Sequence, residues 1–206
     1  HRGSPVLLPP GHRPDPAAAA AEPVCPQIFA QYASLAQELV ASDAIAALEF
    51  LRTCEALNEE NTLTTDVTGD GRDDLVLTLV NPLSNAATPE MELLVFVADD
   101  AGGAQVFQAQ PAGQVRILVT EDINRDGQPD LVWVDTTCGA STCFDTVHVR
   151  SWDGATWQDW TDAAITMAYA DIELASSYDI GQGQALVLQG GVYGSVGAGP
   201  QRSRTE

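Results

Sequence analysis

The chain has 206 residues, 45% of them hydrophobic, and a formal net charge of −20 in which all nine basic residues are arginines. That length supports a sizeable core. The charge repels phosphate backbones, which argues against nucleic acid as a partner and suits divalent cations or a basic partner. No apolar run reaches the roughly 18–20 residues needed to span a membrane.

Residues 1–24 carry Pro5, Pro9, Pro10, Pro14, Pro16 and Pro23 and the alanine run 17–21. This composition builds no core and predicts an extended, polyproline-like arm. The start has no charged region followed by an apolar one, as expected of a secreted chain that has lost its leader.

Residues 25–59 read as a helical hairpin. Ile28, Tyr32, Leu35 and Leu39 follow a 3.6-residue stripe after Pro26, which suits a first helical position. Ser42-Asp43 marks a break and a new N-cap, and Ile45, Leu48, Leu51 and Leu57 line a second helix. An antiparallel hairpin brings its outer ends together, which pairs Cys25 with Cys54. Cys138 and Cys143 flank a short polar loop and form the second pair. Zinc is the competing use of four cysteines, but no Cys-x-x-Cys is present. Two disulfides imply an oxidising compartment, so the chain is expected to be extracellular, secreted or on a cell surface.

From residue 60 the pattern turns to strands. Leu75–Val80, Glu92–Val97, Leu131–Val134 and Thr146–Arg150 are apolar or alternating and β-prone, and Asp100–Gly103 and Asp153-Gly154 are turn signals between them. Trp152, Trp157 and Trp160 flank the second turn, as cross-strand packing or as a sugar platform.

The β region repeats itself. Thr65–Leu75 aligns without gaps on Glu121–Leu131, an offset of 56 residues. A third copy follows over about 172–206, with Ser177–Ala185 in the place of the loop. Repeats of about 60–115, 116–171 and an incomplete 172–206 are expected. The third copy stops where its hairpin should begin, which would leave an open strand edge.

The repeated loop reads Asp-x-[Thr/Asn]-x-Asp-Gly-x-x-Asp-Leu. Calcium takes about six to eight oxygens, and positions 1, 3 and 5 point to one centre when the backbone curls around it. Glycine at position 6 permits the sharp turn, and position 7 offers its carbonyl. The expected ligands are Asp66, Thr68, Asp70, the Arg72 carbonyl and Asp74 in the first loop. In the second they are Asp122, Asn124, Asp126, the Gln128 carbonyl and Asp130. This is not an EF-hand, because position 12 is Leu77 or Trp133 where a glutamate is needed. In the third copy only Ser177 and Asp179 keep ligand oxygens, with Gly181 and Ala185 at positions 5 and 9, so that loop is expected to bind no ion.

These loops resemble the FG-GAP and VCBS calcium-binding repeats of integrin α-chain propellers and secreted bacterial proteins, over about 60–206. The resemblance implies two Ca²⁺ sites on propeller-blade-like antiparallel β repeats. The expected fold is therefore mainly β with an N-terminal helical hairpin, its repeats too few to close a propeller. Thr68 departs from the usual Asn or Asp at position 3, which implies a weaker first site.

No catalytic constellation is visible. Ser141 and Ser195 each lack one glycine of Gly-x-Ser-x-Gly, Gly181-Gln-Gly183 lacks the third glycine of a dinucleotide loop, and His148 sits in an alternating strand. The chain is expected not to be an enzyme but a calcium-stabilised structural or assembly protein. It would form a homo-oligomer or polymer, such as a surface filament, by donating its arm or a strand to a neighbour. The alternative is a non-catalytic adhesion module of a larger secreted protein or enzyme, binding a glycan or protein through the three tryptophans or the loop 138–143.

Overall fold

The computed structural model describes residues 23–86, 89–98, 104–111, 113–123, 125–139, 143–160, 165–180, 183–193 and 200–205, the last three segments as backbone course alone. The proline-rich residues 1–22, the turn 100–103, Asn124, Ser141, Gly181 and Ser195 lie outside these.

Two helices come first, α1 (Ala30–Ser42) and α2 (Ala44–Thr53). Asp43 separates them in an extended conformation, and its carboxylate accepts from the N–H groups of Ile45 and Ala46, each at 3.0 Å. This cap satisfies two of the amides that a helix start leaves free. The hairpin expected from the sequence is therefore present, though its first helix starts four residues after Pro26. Its buried stripe is also rotated. Tyr32, Ala33, Ala36 and Val40 are buried, whereas Ile28 is 58% exposed. Alanines on the inner face let the helix lie close to its neighbours, so the larger residues Leu35 and Leu39 sit at the flank. The Cys25–Cys54 disulfide closes the hairpin across a Cα separation of 5.5 Å.

After a 3-10 turn (Glu59–Asn61) come β1 (Leu63–Thr65), β2 (Asp74–Val80), β3 (Met91–Val97) and β4 (Ala104–Ala109). They form an antiparallel meander in the order β1-β2-β3-β4. The alternate faces of its central strands meet different partners. Leu75, Leu77, Leu79, Leu94 and Phe96 pack on the helices. Val76, Met91, Leu93 and Val95 pack instead on Val115, Leu131 and Trp133. Burial on both faces is why β2 and β3 read as nearly continuous apolar runs rather than as alternating ones.

Val115, Leu131 and Trp133 belong to a second sheet. It holds β5 (Gln114–Val119), β6 (Asp130–Cys138), β7 (Cys143–Trp152), β8 (Trp157–Asp159), β9 (Ile165–Ile180), β10 (Gly183–Tyr193) and β11 (Pro200–Thr205). The path β5-β6-β7-β8 repeats the first meander. β9 then lies beside β7 along Phe144–Val147, while β8 takes Arg150–Trp152 of the same edge. The molecule is layered: helical hairpin, first sheet, second sheet. Asn61 ties the layers, its side-chain oxygen accepting from the Ile117 N–H at 2.9 Å.

The fold is thus mainly β with two helices near its N-terminus, and the described strands close into neither a barrel nor a propeller. The third copy departs from expectation. Ser177–Ile180 belong to β9 and Gly183–Ala185 to β10, so the stretch aligned with the calcium loops is an extended hairpin. Pairing is interrupted there: the β9–β10 register shifts between Ile180↔Gly183 and Ala175↔Ala185. β10 pairs with both β9 and β11, and among the described strands the last one, β11, ends the sheet.

Candidate metal centre

The two Asp-rich loops occupy equivalent places, one between β1 and β2 and the other between β5 and β6. Both wrap around the carboxylate at position 1. Asp66 accepts from the N–H groups of Thr68 (3.1 Å), Gly69 (2.6 Å) and Gly71 (2.8 Å). Asp122 accepts from those of Arg125 (2.6 Å), Asp126 (3.2 Å) and Gly127 (2.9 Å). Position 5 accepts from the N–H of position 7 in each, Asp70 from Arg72 at 2.9 Å and Asp126 from Gln128 at 2.8 Å.

Position 9 faces inward. Asp74 is 1% exposed; one oxygen accepts from the Val67 N–H and the Thr68 hydroxyl, both at 3.0 Å, and the other from the Ala98 N–H at 2.9 Å. Asp130, also 1% exposed, accepts from the Ile123 N–H at 2.9 Å and from the Ser151 hydroxyl. In both loops the closing carboxylate ties position 2 to the far end of the neighbouring hairpin. Ser151 and Ala98 were not legible as partners from the sequence, because only the strand register places them there. A serine in step with Val147 and Val149 on the alternating strand is the one sequence signal that could have found Ser151.

The backbone repeats as well. Position 6 has positive φ in both loops, Gly71 at 84° and Gly127 at 91°. Position 4 does too, with Gly69 at 74° and Arg125 at 62°. Left-handed backbone costs a residue with a Cβ roughly 1–2 kcal/mol, so the second loop bears a strain that glycine relieves in the first. Arg125→Gly is expected to raise stability by roughly 0.5–1 kcal/mol, offset in part by glycine's greater unfolded-state freedom. Gly69→Ala should lower it by about 1 kcal/mol or more, since an added Cβ would press on the Gln128 side chain and lie 3.0 Å from Pro129 Cδ. Urea unfolding of the two variants measures both signs. The same contact shows that the two loops touch.

Oxygen donors around a glycine turn are the right chemistry for a hard cation. The side chains do not yet form a shell: among the described residues, no three acidic, histidine or cysteine groups come together to hold a metal. Asp70 is turned onto its own Arg72, 2.8 Å from a guanidinium nitrogen, and this pairing lowers its pKa. Thr68 is buried and spends its hydroxyl proton on Asp74. The residues thus fit calcium in donor type, and Asp66 and Asp122 stand already ordered by amide donors.

Two other polar groupings occur. His148 stacks on Trp133 with ring centroids 4.8 Å apart and meets Asp135 at 2.8 Å. The Cys138–Cys143 disulfide joins directly opposed residues of β6 and β7. Of the three tryptophans near the second turn, Trp152 and Trp157 pair across the strands, whereas Trp160 stands 61% exposed and apart.

Fold and loops define a mainly β protein in which two antiparallel meanders each carry an Asp-Gly loop at the same strand junction. No protein-family model, no curated protein and no solved structure matches this chain. The likeness to FG-GAP and VCBS repeats therefore rests on the loop residues themselves.

Proposed function

We propose that the chain is an extracellular, non-catalytic structural protein whose blade-like repeats are stabilised by two calcium ions. The observation that carries this reading is the hydrogen-bond scaffold the two loops share, position 1 accepting from the amides of positions 4 and 6, position 5 from that of 7 and position 9 from that of 2. Asp66, Thr68, Asp70, Asp74 and the Arg72 carbonyl would hold one ion. Asp122, Asn124, Asp126, Asp130 and the Gln128 carbonyl would hold the other. The ions would supply positive charge to a chain of net charge −20. Two disulfides, and the absence of any helix long and apolar enough to cross a membrane among the described residues, fit an extracellular setting.

The described sheets end on β1 and β4 and on β5 and β11, and such edges accept strands from another chain. On this reading subunits join into oligomers or filaments through an edge or through the arm 1–24.

At free calcium tenfold above the dissociation constant, each site would add roughly 1.4 kcal/mol. Saturating calcium should therefore raise the melting temperature above that in chelator by roughly 5–10 °C for a chain of this size, with less effect from magnesium. Identical melting in calcium and chelator would remove the calcium reading. Sedimentation and electron microscopy of the full chain and of one lacking residues 1–24 test assembly. Monodisperse particles throughout would remove that part, and polymers from the truncated chain would remove the arm's role.

A further inference from the structure

The β7–β8 hairpin carries a feature that the loops do not explain. The register Arg150↔Asp159 and Trp152↔Trp157 sets four side chains in a square on one face. At one end Arg150 and Asp159 form an ion pair. At the other the indoles of Trp152 and Trp157 meet at 5.6 Å with their planes 55° apart. Phe107 of β4 closes the third side, 5.8 Å from the Trp157 ring. Together with Ala155 and Thr156 of the turn they line a cleft of about 520 Å³, within the roughly 300–1,000 Å³ usual for small-molecule sites.

The turn is held firmly. Asp153 accepts from the N–H groups of Ala155 (2.9 Å) and Thr156 (2.7 Å) and from Gln158, and these bonds lower its pKa to about 2. The cleft mouth is thus preformed.

Packing alone does not account for this composition. The Trp157 indole N–H is buried with no hydrogen-bond partner. A buried donor left unmade is costly, and native structures rarely tolerate one. The first meander repeats the loop and the hairpin yet has no tryptophan pair: at its β3–β4 end Val97 faces Ala104 and Phe96 faces Gln105. The repeat architecture therefore does not require these rings.

We propose that this cleft binds a neutral pyranose unit of a glycan. A pyranose presents a patch of C–H bonds on one face and hydroxyls around its rim. The indole and phenyl faces suit the first. The guanidinium and the Asp159 carboxylate supply donors and an acceptor for the second. A neutral sugar is favoured because Asp159 already offsets Arg150, and the whole chain would repel an anionic one. The cleft uses none of the expected calcium ligands, although Ser151, between Arg150 and Trp152, binds Asp130 of the second loop.

The test uses the full chain against immobilised neutral glycans ending in glucose, galactose, mannose or N-acetylglucosamine, beside sialylated and sulfated ones. Any neutral hit is then titrated in solution by tryptophan fluorescence. Saturable binding is expected, weakened roughly three- to tenfold by Trp157→Phe, which replaces the indole face with a smaller phenyl one. Trp152→Ala should weaken it roughly tenfold or more through loss of the stacking face. The circular dichroism spectrum of Trp157→Phe should be unchanged, so lost binding cannot be attributed to unfolding. Binding to none of the neutral glycans, a preference for the acidic ones, or binding that Trp157→Phe leaves unaltered would each overturn the proposal.

Discussion

Asp74→Ala is expected to cost about 3–5 kcal/mol of stability in chelator, before any ion is considered. Its carboxylate takes three donors, from Val67, Thr68 and Ala98, in a site where it is 1% exposed. Hydrogen bonds to a charged group contribute roughly 1.5–3 kcal/mol each, and buried amides left without an acceptor add their own penalty. The loss would not be confined to the loop, because Ala98 follows β3 and the carboxylate binds that strand's end to the start of the loop. Asp70→Ala supplies the contrast. Asp70 is a surface group paired with Arg72, so its loss in chelator should change stability little, while removing a proposed calcium ligand as surely as Asp74→Ala does. Urea unfolding of both variants, in chelator and in calcium, separates the two roles of an aspartate loop. Equal losses for Asp70→Ala and Asp74→Ala in chelator would show that position 9 is not a structural pin.

Removing the Cys25–Cys54 bridge, as Cys25→Ser with Cys54→Ser, should cost roughly 3–4 kcal/mol. The bridge spans 29 residues, and those residues include both helices. Cys54 itself is 6% exposed and sits in the cluster with Tyr32, Ala36 and Leu51, which also covers Leu77 and Leu79 of β2. Opening it frees the start of the chain and loosens the layer that shields one face of the first sheet. The Cys138–Cys143 bridge is the control. Its separation is five residues, and its two cysteines are already opposed by the β6–β7 register. The same entropy argument gives it only about 2 kcal/mol, and strand pairing supplies part of that constraint anyway. The difference between the two double variants in urea is the measurement; a larger loss at 138–143 would contradict this ordering.

Much of this was legible in the residues because the causes are local. Asp-Gly loops curl through hydrogen bonds between side chains and amides a few positions away, so a motif of nine residues contains most of what shapes it. Asp43 ends one helix and starts the next through its own neighbours. The Cys25–Cys54 pairing followed from the antiparallel hairpin between them, and the strands announced themselves as apolar runs.

What tertiary structure alone decided lies across elements. Which donors reach Asp74 and Asp130 depends on strand register, which sets Ala98 and Ser151 beside them. Which face of α1 is buried was settled by how closely its alanines allow it to approach the sheet, against the stripe of larger residues that the sequence displays. Ser177–Ala185 resembles a loop by alignment, yet Ser177–Ile180 fall in β9 and Gly183–Ala185 in β10, with the register shifting between them. The sequence places Trp152, Trp157 and Trp160 around one turn without saying which of them meet. Pairing β7 with β8 sets Trp152 and Trp157 opposite each other, beside Arg150 and Asp159, with one indole N–H turned inward. The Asp-Gly loops could be read from the chain because a short backbone encodes them, whereas the cleft exists only where two strands and Phe107 of the first sheet meet.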